Sequence, residues 1–273
     1  MSAVAGSGEG SEAGSEPRRN LRLRLAYDGT EFHGWQIQPS VRTVQGELGT
    51  ALARLLGGRV RVIGASRTDA GVHAREQIAS VAGVPGRIGC DELARALNAL
   101  MPEDVVILGV AEVPEGFHAR FSAIGKRYRY RIRHETLREP WSRAHVWHVP
   151  RPLDVPAICA EAAALVGTHD FSSFQATGSR VASPIRSMRS IEVRRDGAEI
   201  WVDLVADGFL RHMVRNIVGT LVEVGLRHRP AGSTRVTLMA RDRGAAGPTA
   251  PAHGLWLEQV FYPPDFTHEA TTR

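Results

Sequence analysis

Two kinds of hydrophobic period succeed one another in the same order twice along the chain, and that order restricts its fold more than any other feature. Leu21, Leu23, Leu25 and Tyr27 alternate with Arg22 and Arg24, the pattern of a half-buried strand. After an Asp28-Gly29 turn, Val44, Leu48, Leu52 and Leu55 recur at helical spacing, with Thr43 placed to cap the start and Gly57 to stop the end. Strands are predicted at Arg59 to Ala65 and around Gln77 to Val81. Asp91 then caps a helix carrying Leu93, Leu97 and Leu100, and a strand runs from Val105 to Val110.

The second half repeats this β-α-β-β-α-β series. Tyr128, Tyr130 and Ile132 make a strand, and Ile158, Ala162 and Leu165 a helix closed by Gly167. Strands follow at Ile185 to Arg194 and Ile200 to Ala206. Phe209, Met213, Ile217, Leu221 and Val224 form one helical stripe that stops at Gly225, and Leu255 to Tyr262 is the last strand. The fold class expected is α+β, built from two ferredoxin-like halves with a cleft between them. Whether the two sheets abut edge to edge or form separate domains is left open by the order alone.

The expected organisation is an N-terminal tail over residues 1–19, α+β domains over 20–113 and 114–266, and a C-terminal tail over 267–273. The first twenty residues are Gly, Ser, Ala and Glu with almost no large apolar side chains, too little to offset the entropy of ordering them. The chain has no run of about 18 apolar residues and no signal-peptide core, so a cytoplasmic location is expected. Cys90 and Cys159 are the only cysteines and form no C-x-x-C, so neither a disulfide framework nor a thiolate metal site is indicated. His145 and His148 have an H-x-x-H spacing on an extended segment, where they would face different ways, and no metal is expected.

The net charge of +5 points to a polyanionic partner. Lys126 is the only lysine, and Arg127, Arg129, Arg131 and Arg133 follow it in an acid-free stretch from Gly116 to His134. On a strand those four arginines share one face and Tyr128 and Tyr130 the other. One reading is a phosphate-tracking row beside a stacking aromatic; the other is a solvated strand face with the tyrosines in the core. Asp69 lies at the apex of a loop of small residues, Ala65 to Ala74. An aspartate used as nucleophile or base in a cleft needs a cation beside it, and Arg67 is poorly placed for that. Locally, an Asx-turn holding the loop explains Asp69 better.

The chain resembles the bacterial tRNA pseudouridine synthase A family over nearly its whole length after the tail. The resemblance rests on Tyr27-Asp28-Gly29 with Gly34-Trp35-Gln36, on Arg67-Thr68-Asp69-Ala70-Gly71-Val72-His73-Ala74, and on Phe117-His118-Ala119-Arg120-Phe121-Ser122-Ala123. It rests further on Arg127-Tyr128-Arg129-Tyr130, on His212-Met213-Val214-Arg215-Asn216-Ile217-Val218-Gly219, and on Gly254-Leu255. It implies that Asp69 is the catalytic aspartate, that Tyr128 packs on the target uracil, and that Arg215 pairs with Asp69. It also implies that Leu255 lines the uracil pocket and that Arg67 helps hold the flipped-out nucleotide. Arg127, Arg129 and Arg131 are then candidates for RNA phosphate contacts. The implied reaction is isomerisation of uridine at tRNA positions 38 to 40, in the anticodon stem-loop, by a homodimer without cofactor or metal. One departure is Ser66, where many relatives carry Gly.

Overall fold

A computed structural model describes residues 18–179 and 181–266, so the expected tails lie almost wholly outside the described residues. The first half runs β1 (Arg18–Tyr27), α1 (Val44–Leu56), β2 (Val62–Gly64), β3 (His73–Pro85), α2 (Cys90–Leu100) and β4 (Val105–Val113). The second contains β5 (Gly125–Arg133), β6 (Trp147–His148), α3 (Val155–Ala163), β7 (Gly167–Asp170), β8 (Ile185–Asp196), β9 (Glu199–Ala206), α4 (Met213–Gly225), α5 (Ser233–Ala240) and β10 (Leu255–Phe261). The ends of α1 follow local chemistry: Thr43 accepts from the Gly46 N–H, and Gly57 closes the helix at φ 72°. Asp91, expected to cap α2, lies instead in its first turn behind Gly89.

Among the described residues all ten strands belong to one sheet with the central order β4-β1-β3-β10-β5-β9-β8-β7, while β2 pairs with β3 and β6 with β5. Taking each half's four main strands in sequence, both halves read fourth, first, third, second. The two sheets therefore abut edge to edge, the first of the two arrangements the order left open. The expected division at residue 113 falls in the link where the chain leaves β4 at the outer edge and enters β5 near the centre.

The join depends on a difference in strand length. β3 has 13 residues and β2 only three. β2 occupies the β3 edge opposite Ala79, Ser80 and Val81, and leaves its beginning free. β10 takes that free stretch in parallel, pairing Trp256 with His73 and Leu257 with Ala74. The loop between β2 and β3, which carries Asp69, is thereby brought to the seam between the halves. The buried leucines of β1, the stripes of α1 and α2, and Tyr128, Tyr130, Ile217 and Leu257 from the second half all belong to one apolar cluster.

One expected element is corrected. The apolar stripe from Phe209 is helical only from Met213, because His212 stands before it in left-handed conformation at φ 60°. Arg211 therefore does not share a helical face with Arg215. The elements α5 and β7 were not expected, while β6 falls within the extended segment read at His145 to His148; all three are short, and the tertiary fold rather than a strong local period holds them.

Candidate active site

The Asp69 loop is fixed from both ends before any counter-charge is considered. Gln77, fully buried, accepts from the Ser66 N–H at 3.2 Å and donates to the Ser66 carbonyl at 2.8 Å, continuing the strand pairing with its own side chain. The Tyr27 hydroxyl bonds the Thr68 hydroxyl at 2.8 Å, and the Trp35 N–H donates to the Thr68 carbonyl at 3.0 Å. At the apex, the Val72 N–H closes a turn onto the Asp69 carbonyl, with Gly71 at φ 76° in the position that needs positive φ. The loop after β1 packs so closely against it that a Cβ on Gly29 would lie 2.0 Å from the Val72 carbonyl oxygen. Asp69 projects from a braced turn.

Its counter-charge comes from the other half. Arg215, in the first turn of α4, places Nη1 at 3.2 Å from Asp69 Oδ2. Its Nε donates to the Ala250 carbonyl at 2.7 Å, and the Ala250 N–H donates back to the Arg215 carbonyl at 3.1 Å. The guanidinium is thus oriented by the 247–251 segment as well as by the aspartate. His212 Nε2 lies 3.5 Å from the same carboxylate oxygen. Burial lowers the His212 pKa, and Arg215 and Arg211 act the same way, against the pull of Asp69. The amino end of α4 lies beside the carboxylate as well, where a helix favours negative charge.

Tyr128 is buried with its hydroxyl 2.7 Å from Ser66 Oγ and its ring edge-on to Phe209 at 5.0 Å. Burial pushes its pKa up to about 12, so the phenol stays protonated at neutral pH. Lys126 donates to the Ala65 carbonyl at 2.8 Å and lies 3.4 Å from Ser66 Oγ. Burial, with Arg120 and Arg186 nearby, lowers its pKa to about 8. Leu255 is buried at the start of β10.

These residues line a cavity of about 1080 Å³. Asp69 is its only carboxylate among the described residues, against Arg61, Arg67, Arg120, Lys126, Arg186, Arg211 and Arg215. The expected site residues Asp69, Arg67, Tyr128, Arg215 and Leu255 all stand on this one wall. Arg67 is exposed and has no carboxylate partner among the described residues. Lys126, Ser66, His118 and Phe209 also line the cavity, although sequence reasoning gave them no role there. Lys126 had a usable signal, since on a strand it shares the Tyr128 face.

The arginine row of β5 does not share that wall. Arg127, Arg129 and Arg131 point to the opposite side of the strand, and two of them already have acids. Arg129 donates to both oxygens of Asp203 at 2.7 and 3.0 Å, and Arg131 to both oxygens of Glu199 at 2.8 Å. Arg127 lies over the Phe261 ring at 5.7 Å. The acid-free stretch misleads because the neutralising carboxylates come from β9, about seventy residues on in the sequence, with Trp201 between them under Arg129 at 4.2 Å.

Asp28, His73 and His145 bring three ligand-type atoms within 4.8 Å of one another. Each is already committed. Gly29 N–H donates to His73 Nδ1, so the proton is on Nε2, which faces the Ala144 and His253 carbonyls. Burial lowers the His73 pKa, which keeps the ring neutral, so Asp28 at 3.0 Å from Nδ1 is not an ion-pair partner. His145 Nε2 meets Asp28 Oδ2 at 2.7 Å. The cluster ties four segments together behind the Asp69 loop. His148 Nε2 meets the Glu135 carbonyl at 2.6 Å, apart from the Asp28 contact of His145.

An aspartate thus stands at the seam of two like halves, held by an arginine across it and ringed by cations. The sequence profile of a family described as tRNA pseudouridine synthase matches residues 25–122 and 162–263. This chain belongs to the tRNA pseudouridine synthase family. It is 46% identical over 244 residues to tRNA pseudouridine synthase A of Moorella thermoacetica, covering 89% of this chain and 99% of that one. It is 45% identical over 257 residues to tRNA pseudouridine synthase A of Myxococcus xanthus, covering 92% and 96%. As a member of this family it is an isomerase that converts uridine to pseudouridine in tRNA.

Proposed function

We propose that this chain isomerises uridines at positions 38 to 40, in the anticodon stem-loop of tRNA, with Asp69 as the reacting carboxylate. The observation that carries the role of Asp69 is its place as the one carboxylate, among the described residues, in a cationic cavity, with Arg215 brought to it from the other half at 3.2 Å. Cations around the mouth suit a phosphodiester backbone, and the enclosed floor suits a single base taken out of its stack. Tyr128 supports the flipped uracil on one side and Leu255 closes the pocket, while the exposed Arg67 helps hold the flipped-out nucleotide.

Asp69 starts the reaction either by adding to the nucleoside or by taking a proton from the ribose. In both routes the N1–C1′ bond breaks, the uracil turns within the pocket, and C5 bonds to C1′. One proton leaves C5 and one is taken up at N1, so the change is an isomerisation with no redox step. The residues that bind and orient the base supply what is needed by proximity and charge. A homodimer in the cytoplasm is the form carried over from the resemblance, and sedimentation of the purified protein tests its subunit count.

Tritium release from tRNA carrying 5-tritiated uridine tests the reaction, because the C5 hydrogen leaves only when the new bond forms. Wild-type release with none from Asp69→Asn supports the assignment. Release that persists in the variant overturns the role of Asp69. Mapping the modified positions on tRNA from a strain lacking the gene tests the anticodon stem-loop.

A further inference from the structure

At about 1080 Å³ the cavity slightly exceeds the range that holds one small ligand, roughly 300–1,000 Å³, so it has room beyond a single flipped uridine. Part of that room lies against the segment between β4 and β5. Phe117 and Ala119 of this segment are buried, and the Ala119 N–H donates to Ser80 Oγ on β3 at 3.2 Å. The Ser122 N–H bonds the His118 carbonyl at 2.9 Å and Ser122 Oγ accepts from the His118 N–H at 3.0 Å, closing a tight turn. This rigid turn presents His118, Arg120 and Phe121 to the cavity.

Phe121 is 75% exposed, although a phenyl ring gains by being covered. Single exposed apolar residues are ordinary on protein surfaces. This ring, however, is held. It lies on the His118 imidazole at 4.4 Å, with the Arg120 guanidinium 5.5 Å from its centroid. His118 Nδ1 accepts from the Arg120 and Phe121 N–H groups, both at 3.2 Å, which leaves the proton on Nε2 and the imidazole fixed behind the phenyl. The outer face of the phenyl is bare, flat and next to a cation that has no carboxylate partner among the described residues.

We propose that Phe121, backed by His118 and flanked by Arg120, is a second nucleotide subsite that stacks on a base adjacent to the target uridine. The inference rests on the reading of Asp69 given above and extends it. When the uridine leaves the helix, its neighbour loses a stacking partner, and an aromatic ring at the cavity mouth replaces it. Arg120 meets the phosphate between the two nucleotides.

The test compares wild type, Phe121→Ala and Phe121→Trp on anticodon stem-loop RNAs carrying tritium at C5 of the target uridine. One RNA is intact, and two lack the base on the 5′ or the 3′ side of the target. On intact RNA, Phe121→Ala is expected to raise KM about tenfold with a smaller effect on kcat, and Phe121→Trp to restore it. On one abasic RNA the wild type is expected to show the same loss, with no further loss from Phe121→Ala. An undiminished effect of Phe121→Ala on both abasic RNAs, or no effect on intact RNA, overturns the subsite. No release by wild type from intact RNA would instead fail the reading of the site itself, and this subsite with it. Because the ring is exposed, unchanged melting of Phe121→Ala separates any loss from misfolding.

Discussion

Asp69 and Arg215 meet at 3.2 Å, yet neither is held chiefly by the other. The aspartate is set by the Gln77, Tyr27 and Trp35 bonds to its loop, and the arginine by its exchange with Ala250. Asp69→Asn keeps the shape and removes the reacting charge, so turnover should fall by at least about 10⁴-fold while tRNA binding persists, measured by tritium release and filter binding. Arg215→Lys keeps a cation but loses the fork that joins Asp69 to Ala250. Its rate should drop about 10²-fold, measured under single turnover. Lys126 gives a pH-dependent signature. With its pKa lowered to about 8, its charge is present below that pH and is lost as pH rises through it. Single-turnover rate should therefore fall between about pH 7 and about pH 9 as this charge beside the Asp69 loop is lost, and the fall should be absent in Lys126→Arg.

At the scale of elements, the short β2 and long β3 determine where the site lies, and α4 with the 247–251 segment determines how well it is held. Gly219 on α4 lies so close to that segment that a Cβ would be 1.8 Å from the Pro248 carbonyl oxygen. Gly219→Ala should push away the stretch that carries Ala250 and so release Arg215. We expect a loss of about 1–3 kcal/mol in stability together with a fall in kcat, read by thermal melting and tritium release. A loss of stability with unchanged kcat would show that the strap does not orient Arg215. The strand and helix periods were legible because burial writes them directly into the sequence: α1 begins after Thr43 and ends at Gly57 as its caps require. The α4 start was not legible, since a left-handed His212 has no propensity signal, and the stripe read from Phe209 becomes helical only at Met213. The edge-to-edge join was hidden for a different reason. It depends on β2 being shorter than its apolar run suggested, because Arg59 to Arg61 do not join the β3 ladder.

At the scale of the whole molecule, the net charge of +5 is divided between two surfaces that behave differently. On the far side of β5, Arg129 and Arg131 form two-pronged bonds with Asp203 and Glu199, so their charge is cancelled within the protein. In the cavity, Arg61 and Arg211 have no carboxylate partner among the described residues, so their charge remains available to a polyanion. Composition could not separate the two, because the cancelling acids lie on another strand. Counter-ion release counts only cations that meet phosphate, each worth about 0.7 to 0.9 in the slope of log K against log salt. Arg61→Gln and Arg211→Gln should each lower the slope by about that amount and weaken binding of any tRNA alike. Arg131→Gln should leave the slope unchanged and instead lower thermal stability, since Glu199 loses its main partner. The reverse pattern, a slope that responds to Arg131 and not to Arg61 or Arg211, would place the RNA on the far face of the sheet and away from Asp69.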